Sequence, residues 1–259
     1  MTMRWTQQLE AQLDLDRELI AHVYSETEPA SPFTPFIAHQ RDQFGLGPDQ
    51  ARLPEHFRGP WADARVCFLG PHVLLVPTEP APGPDASIQA YIDHYQKRPG
   101  KRDPFGHYNA IMGGAPWVST ELVHWPCEKH LALDVLKSPQ GPAAADAALD
   151  VTWAMLKDSP VEVLVLTGND ALKWVLPRLG WQGKNLPGVT QLHGQTLGRF
   201  PLPGAPGREL TVVASFHWSS EMPLFVRKVA GLAGLKVSEA ISGARKLITR
   251  AIADAGVSL

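Results

Sequence analysis

The sequence predicts an α/β protein, a three-layer α/β/α arrangement around a central, mainly parallel sheet of about four strands. Three observations carry that expectation. Residues 65–69 and 161–166 are near-continuous apolar runs of the kind found in strands buried on both faces. Amphipathic helical patterns alternate with such runs through the middle of the chain. A Gly/Pro-rich turn near residue 205 separates two further strand-like stretches, 195–201 and 209–216, as in a hairpin.

Taken in order, Trp5, Leu9, Leu13, Leu19, Ile20 and Val23 recur at helical spacing and predict an amphipathic helix to about Tyr24. Residues 25–60 are interrupted by Pro29, Pro32, Pro35, Pro48, Pro54 and Pro60, which predicts a long, irregular wrap held down by Phe33, Phe36, Ile37 and Phe44. Two strands, 65–69 and 73–76, follow around Gly70-Pro71-His72. Asp85 or Ser87 caps a helix to about Gln96, with Ile88, Tyr91, Ile92 and Tyr95 on its apolar side. A strand is expected at 117–125, helices at 146–157 and 170–179, and two final helical stretches at 224–232 and 237–255. Gly168-Asn169-Asp170, at a strand end, reads as a helix cap.

The 259 residues are expected to form one domain, with an amino-terminal helix and wrap (1–60), a core (61–225) and carboxy-terminal helices (226–259). A formal net charge of −2 argues against a broad basic face that coats nucleic acid, while leaving room for a local footprint. No apolar run approaches the ~20 residues of a membrane span, and no secretory signal is read, so a cytoplasmic monomer is expected. Cys67 and Cys127 are too few for a four-cysteine cluster, and no His-Glu-x-x-His pair occurs, so neither metal nor cofactor is expected.

Two strand ends deliver titratable side chains. Val73-Leu74-Leu75-Val76 leads into Pro77-Thr78-Glu79-Pro80, and Val212-Val213-Ala214-Ser215-Phe216 leads into His217-Trp218-Ser219-Ser220. The carboxyl edge of an open α/β sheet is where ligands bind, so Glu79 and His217 are candidate catalytic residues, with Asp85 an alternative acid. Between them lie Ser119-Thr120-Glu121-Leu122-Val123 and Val163-Leu164-Val165-Leu166-Thr167-Gly168-Asn169. These four segments, in this order and over roughly residues 66–225, resemble the uracil-DNA glycosylase superfamily, of which the chain looks like a divergent member. Trp218 stands where that family commonly has proline, Pro77-Thr78 where it has small residues, and Glu121 where several branches have asparagine.

The resemblance implies a monofunctional DNA glycosylase of base excision repair, acting on a base flipped out of single- or double-stranded DNA. Glu79 would orient the attacking water and His217 would donate to the base oxygen. Glu121 would read the base edge. An ionised carboxylate only accepts, so it suits a base offering two donors better than it suits uracil; a protonated Glu121 would restore pyrimidine binding, and an ion pair with a nearby Arg or Lys is the competing role. Phe105 and Tyr108 are candidates to stack on the base. Lys97, Arg98, Lys101 and Arg102, with Ser219 and Ser220, are candidate phosphate contacts, and Met222 or Leu224 a candidate wedge. Two alternatives stand beside this one: a catalytically inactive DNA-binding protein on the same scaffold, and a small-molecule nucleosidase using Glu79 and His217.

Overall fold

A computed structural model describes residues 2–27, 31–71, 81–96, 104–183, 186–218, 229 and 232–259. The expected strand at 73–76 and most of the expected helix at 224–232 lie outside them. The chain forms an α/β fold around a five-strand, mostly parallel sheet, one strand more than expected, in the three-layer α/β/α class. It divides into two compact units: Met1–Phe57, His72–Lys97 and Thr120–Asp158 make the first, and Arg58–Pro71, Arg98–Ser119 and Ser159–Leu259 the second.

The second unit is built on the sheet. β1 (Val66–Gly70) pairs in parallel with β3 (Val163–Thr167), which pairs in parallel with β5 (Glu209–Ser215). β2 (Trp117–Glu121) lies beyond β1, and β4 (Thr196–Pro201) closes the other side antiparallel to β5, giving the order β2-β1-β3-β5-β4. Every residue of β1, β2 and β3 is buried, so both faces of these strands are covered. β4 is the half-exposed edge, and the register shifts between Thr196 and Gly198. The unit's helices are α4 (Phe105–Met112), α7 (Asn169–Val175), α8 (Val189–Leu192) and α9 (Val237–Asp254), of which α9 packs on both α4 and β5. α7 is shorter than expected because Pro177 has no N–H to continue the ladder, and the chain tightens into a 3-10 turn over Leu176–Leu179.

The first unit is helical: α1 (Thr2–Tyr24), α2 (Thr34–Phe44), α3 (Ile88–Tyr95), α5 (Lys129–Lys137) and α6 (Gly141–Lys157). Ser87 caps α3, accepting from the Ala90 N–H at 3.2 Å, as one of the two caps anticipated. α2 corrects the irregular wrap expected here. Pro35 occupies the first turn, where no N–H is needed, and Gly45 ends the helix at φ 62°. β2 stops at Glu121 instead of running to Trp125, because the chain turns there and the His124 carbonyl accepts from Glu55 N–H at 2.8 Å.

Asp16 interrupts the apolar stripe of α1 formed by Trp5, Leu9, Leu13, Ile20 and Val23, and it is 4 % exposed. Its Oδ2 lies 2.7 Å from His56 Nε2, and its Oδ1 accepts from Gln12 at 3.1 Å. His56 Nδ1 lies 3.1 Å from His124 Nδ1, and His124 Nε2 lies 3.3 Å from Thr120 Oγ1 and 3.2 Å from Thr152 Oγ1. Both threonine hydroxyls donate to backbone carbonyls, of His56 and Ala148, so their oxygens receive the His124 Nε2–H. His124 Nδ1 is therefore an acceptor and His56 Nδ1–H its donor, which leaves one proton shared between His56 Nε2 and Asp16. Protonating His124 would set two N–H groups face to face.

Burial, and then the neighbouring His56, pushes His124 well below the ordinary imidazole value of 6.5. The unfolded chain takes up a proton there that the fold refuses, so this contribution is whole above that value and is lost as pH falls below it. Urea unfolding followed from about pH 7.5 to 5 should show stability falling on acidification, and His124→Asn should reduce the slope by about 1.4 kcal/mol per pH unit. An unchanged slope in a folded variant would show that His124 is protonated without cost.

Candidate active site

Parallel pairing puts the carboxyl ends of β1, β3 and β5 on one edge. The sheet grows outward from β1 both ways, to β2 on one side and β3 on the other, so the chain's direction of progress reverses between β1 and β3. In open α/β sheets, ligands bind outside the carboxyl ends of the strands at such a reversal. The strand ends are tied together there: Thr167 Oγ1 donates to the Leu69 carbonyl at 3.0 Å, and Gly168 N–H donates to the Ser215 carbonyl at 2.8 Å.

His217 leaves this edge two residues after β5 and is half-buried. Gly168 lies against it. Its φ of 96° with ψ of 164° is a conformation that essentially only glycine adopts, and a Cβ added there would come 3.4 Å from the His217 Cβ. As the residue before α7, Gly168 supplies no side-chain cap; Asn169 instead accepts from the Val189 N–H at 2.8 Å and ties the turn to α8.

The residues flanking His217 are firmly held. Ser215 Oγ donates to the Phe216 carbonyl at 3.0 Å and accepts from Trp218 Nε1 at 2.9 Å. Trp218 is fully buried, with its indole stacked on His107 at 4.7 Å between ring centres. His107 Nδ1 accepts from Arg245 Nε at 3.1 Å. On the other side, the Phe216 N–H donates to His193 Nδ1 at 3.3 Å, and His193 Nε2–H donates to the Ala244 carbonyl at 3.0 Å, which fixes the His193 tautomer. Burial depresses His193 to about 4, against a smaller opposing effect of the Ala244 carbonyl, so the ring is neutral near pH 7.

Of the aromatic candidates, Tyr108 is 1 % exposed and spends its face on Phe68, stacked at 4.0 Å, with its edge against Trp117. Phe105 is half-buried, stacked on Trp117 at 6.1 Å with the Arg58 guanidinium 5.3 Å from its centre, so it is the one of the two with surface to offer. Glu121 is buried at the end of β2 and belongs to the first unit, as does the exposed Asp85. Glu79, Lys97, Arg98, Lys101, Arg102, Ser219, Ser220, Met222 and Leu224 lie outside the described residues. Neither His193 nor His107 is marked in the sequence: His193 is a lone histidine, and His107 lies between the two aromatic candidates Phe105 and Tyr108 without a pattern of its own.

Cys67 and Cys127 are both free and buried, and burial pushes the Cys127 thiol up to about 12, which leaves it inert near neutrality. Among the described residues no three His, Cys, Asp or Glu side chains are grouped to hold a metal ion, and no helix is long and apolar enough to cross a membrane. No protein-family model matches this chain, and no curated protein matches its sequence.

Gly168→Ala should cost about 1–3 kcal/mol through its backbone conformation, the added Cβ meeting His217 only at ordinary contact distance. Equilibrium urea unfolding checks this, and a loss of a few tenths would mean that the turn rearranges freely.

Proposed function

We propose that the protein hydrolyses the N-glycosidic bond of a damaged or deaminated base that has been flipped out of DNA. The observation that carries this reading is His217, held at the carboxyl edge of a parallel sheet beside the glycine turn that ends β3. In the proposed reaction a water oxygen bonds to C1′ of the deoxyribose as the bond to the base nitrogen breaks, and the bonding pair leaves with the base. Glu79 takes the proton from the water. Neutral His217 donates a hydrogen bond to the base oxygen as negative charge develops, and the base is finally protonated from solvent. A preorganised donor of this kind supplies about 3 kcal/mol by analogy with an oxyanion-hole donor.

Glu121 is the proposed reader of the base edge. As an acceptor it favours a purine or amino-bearing base over uracil. Local contacts to phosphate fall to the basic run at residues 97–102, which a formal net charge of −2 does not preclude.

Single-turnover base release should be measured on labelled oligonucleotides carrying uracil, hypoxanthine or xanthine, in single- and double-stranded form. His217→Ala and Glu79→Ala should each slow release by about 100-fold or more. Glu121→Asn should shift preference towards uracil. Silence across the panel with salt-sensitive binding would establish the binding protein in place of the enzyme, and silence without binding would direct attention to free nucleosides.

A further inference from the structure

His217 lies beyond the last rung of β5, where a strand loses its partners and its side chains lose their fixed direction. The chain beside β5 compensates. Gly194 N–H donates to the Ala214 carbonyl at 2.9 Å, and Ala214 N–H donates to the Gln195 carbonyl at 3.0 Å. One rung further on, where a carbonyl would be required, His193 Nδ1 accepts the Phe216 N–H instead. The ring also stacks on the Phe216 ring at 3.9 Å between centres.

Both histidines next to the His217 segment are gripped by neighbouring residues of one helix. Ala244 of α9 accepts from His193, and Arg245 of α9 donates to His107. His193 in turn holds Phe216, the residue before His217, and His107 holds Trp218, the residue after it. Gly194 makes the approach possible: at φ 78°, a Cβ there would come 2.6 Å from the Leu247 Cβ on α9. Among the described residues, the charged and titratable groups that the flanking residues meet include His193 from the end of α8, His107 from α4 and, behind His107, Arg245 from α9.

We propose that His193 and His107 are positioning residues that hold His217 in one orientation at the sheet edge, with α9 as their common support. The proposal rests on the reading of this edge as the active site. It makes the carboxy-terminal helix, about 30 residues further along the chain, part of what sets the response of His217.

The test uses the full-length protein with labelled histidine, following the ring signals of His217 by NMR as pH is varied, assigned with His217→Gln. His193→Leu and Arg245→Met should each move the His217 midpoint by about half a pH unit or more, because its contacts change. On any oligonucleotide that the wild type cleaves, both should slow single-turnover release by about tenfold while leaving DNA binding within about twofold. His193→Asn, whose amide oxygen takes the place of Nδ1, should restore the midpoint. Should His193→Leu fail to fold, Arg245→Met and His193→Asn decide the matter. Variants that lower the unfolding midpoint but leave the His217 signals and the rate untouched would overturn the proposal. A shifted His217 midpoint in a protein that cleaves no oligonucleotide would sink the glycosidase reading and leave the positioning role standing.

Discussion

A parallel strand buried on both faces has to leave its neighbours at its carboxyl end, and the backbone groups released there still need partners. That constraint organises the second unit. Thr167 satisfies the Leu69 carbonyl, Ser215 the Phe216 carbonyl, and His193 the Phe216 N–H. Because these side chains act beside a backbone bond from Gly168 N–H to the Ser215 carbonyl, the edge is closed by individual residues contributed by different elements. Once these partners are in place the chain is free to turn away from the sheet with its direction set, and His217 is the first side chain beyond them.

The same device recurs within the first unit. A neutral imidazole is a short, rigid connector that donates at one nitrogen and accepts at the other. His124 links His56 to two threonines, and His193 links β5 to α9. Serine or asparagine would satisfy one partner at such a distance but would not bridge two packed layers through a ring that also stacks. Desolvation is the cost. Both rings are held below the ordinary imidazole range, so each connection exists only while its ring stays neutral. Acid therefore acts on the two units through separate histidines, and on the same side of neutrality.

Much of the fold was legible in the sequence because it rests on periodicity. The runs at Val66–Gly70 and Val163–Thr167, the stripe of α1, a cap at Asp85 or Ser87 and the hairpin of β4 and β5 each declare themselves within one continuous stretch of chain. α2 does not, because dense prolines signal irregular chain in a sequence, whereas Pro35 here sits in the first turn of a helix. α5 is not among the expected helices, and α6 begins at Gly141, ahead of the expected start at 146, because Pro142 likewise sits in a first helical turn. Asp16 was invisible for another reason. A carboxylate in an apolar stripe looks like a solvated turn of helix until a partner 40 residues away is brought to it. His217 could be picked out because it follows a strand directly; His193 and His107 could not, since their roles come from contacts to residues 23 and 111 positions distant.

The residue after His217 is a tryptophan, and a tryptophan and a proline would restrict the chain there in different ways. A proline after His217 would restrict the chain through its ring, fixing φ and removing a donor. Trp218 cannot do either. It restricts the same point by a different route: a buried indole, hydrogen-bonded back to Ser215 and stacked on His107. A covalent restriction is local and survives changes elsewhere, whereas one made by packing is only as firm as the layers around it. In this chain the residue after His217 is therefore held by His107 of α4 and, behind it, Arg245 of α9, which a proline would not need. Trp218, His107 and His193 are then parts of one arrangement: the indole lies on a ring that Arg245 contacts, and the residue before His217 is tied through His193 to Ala244 of the same helix.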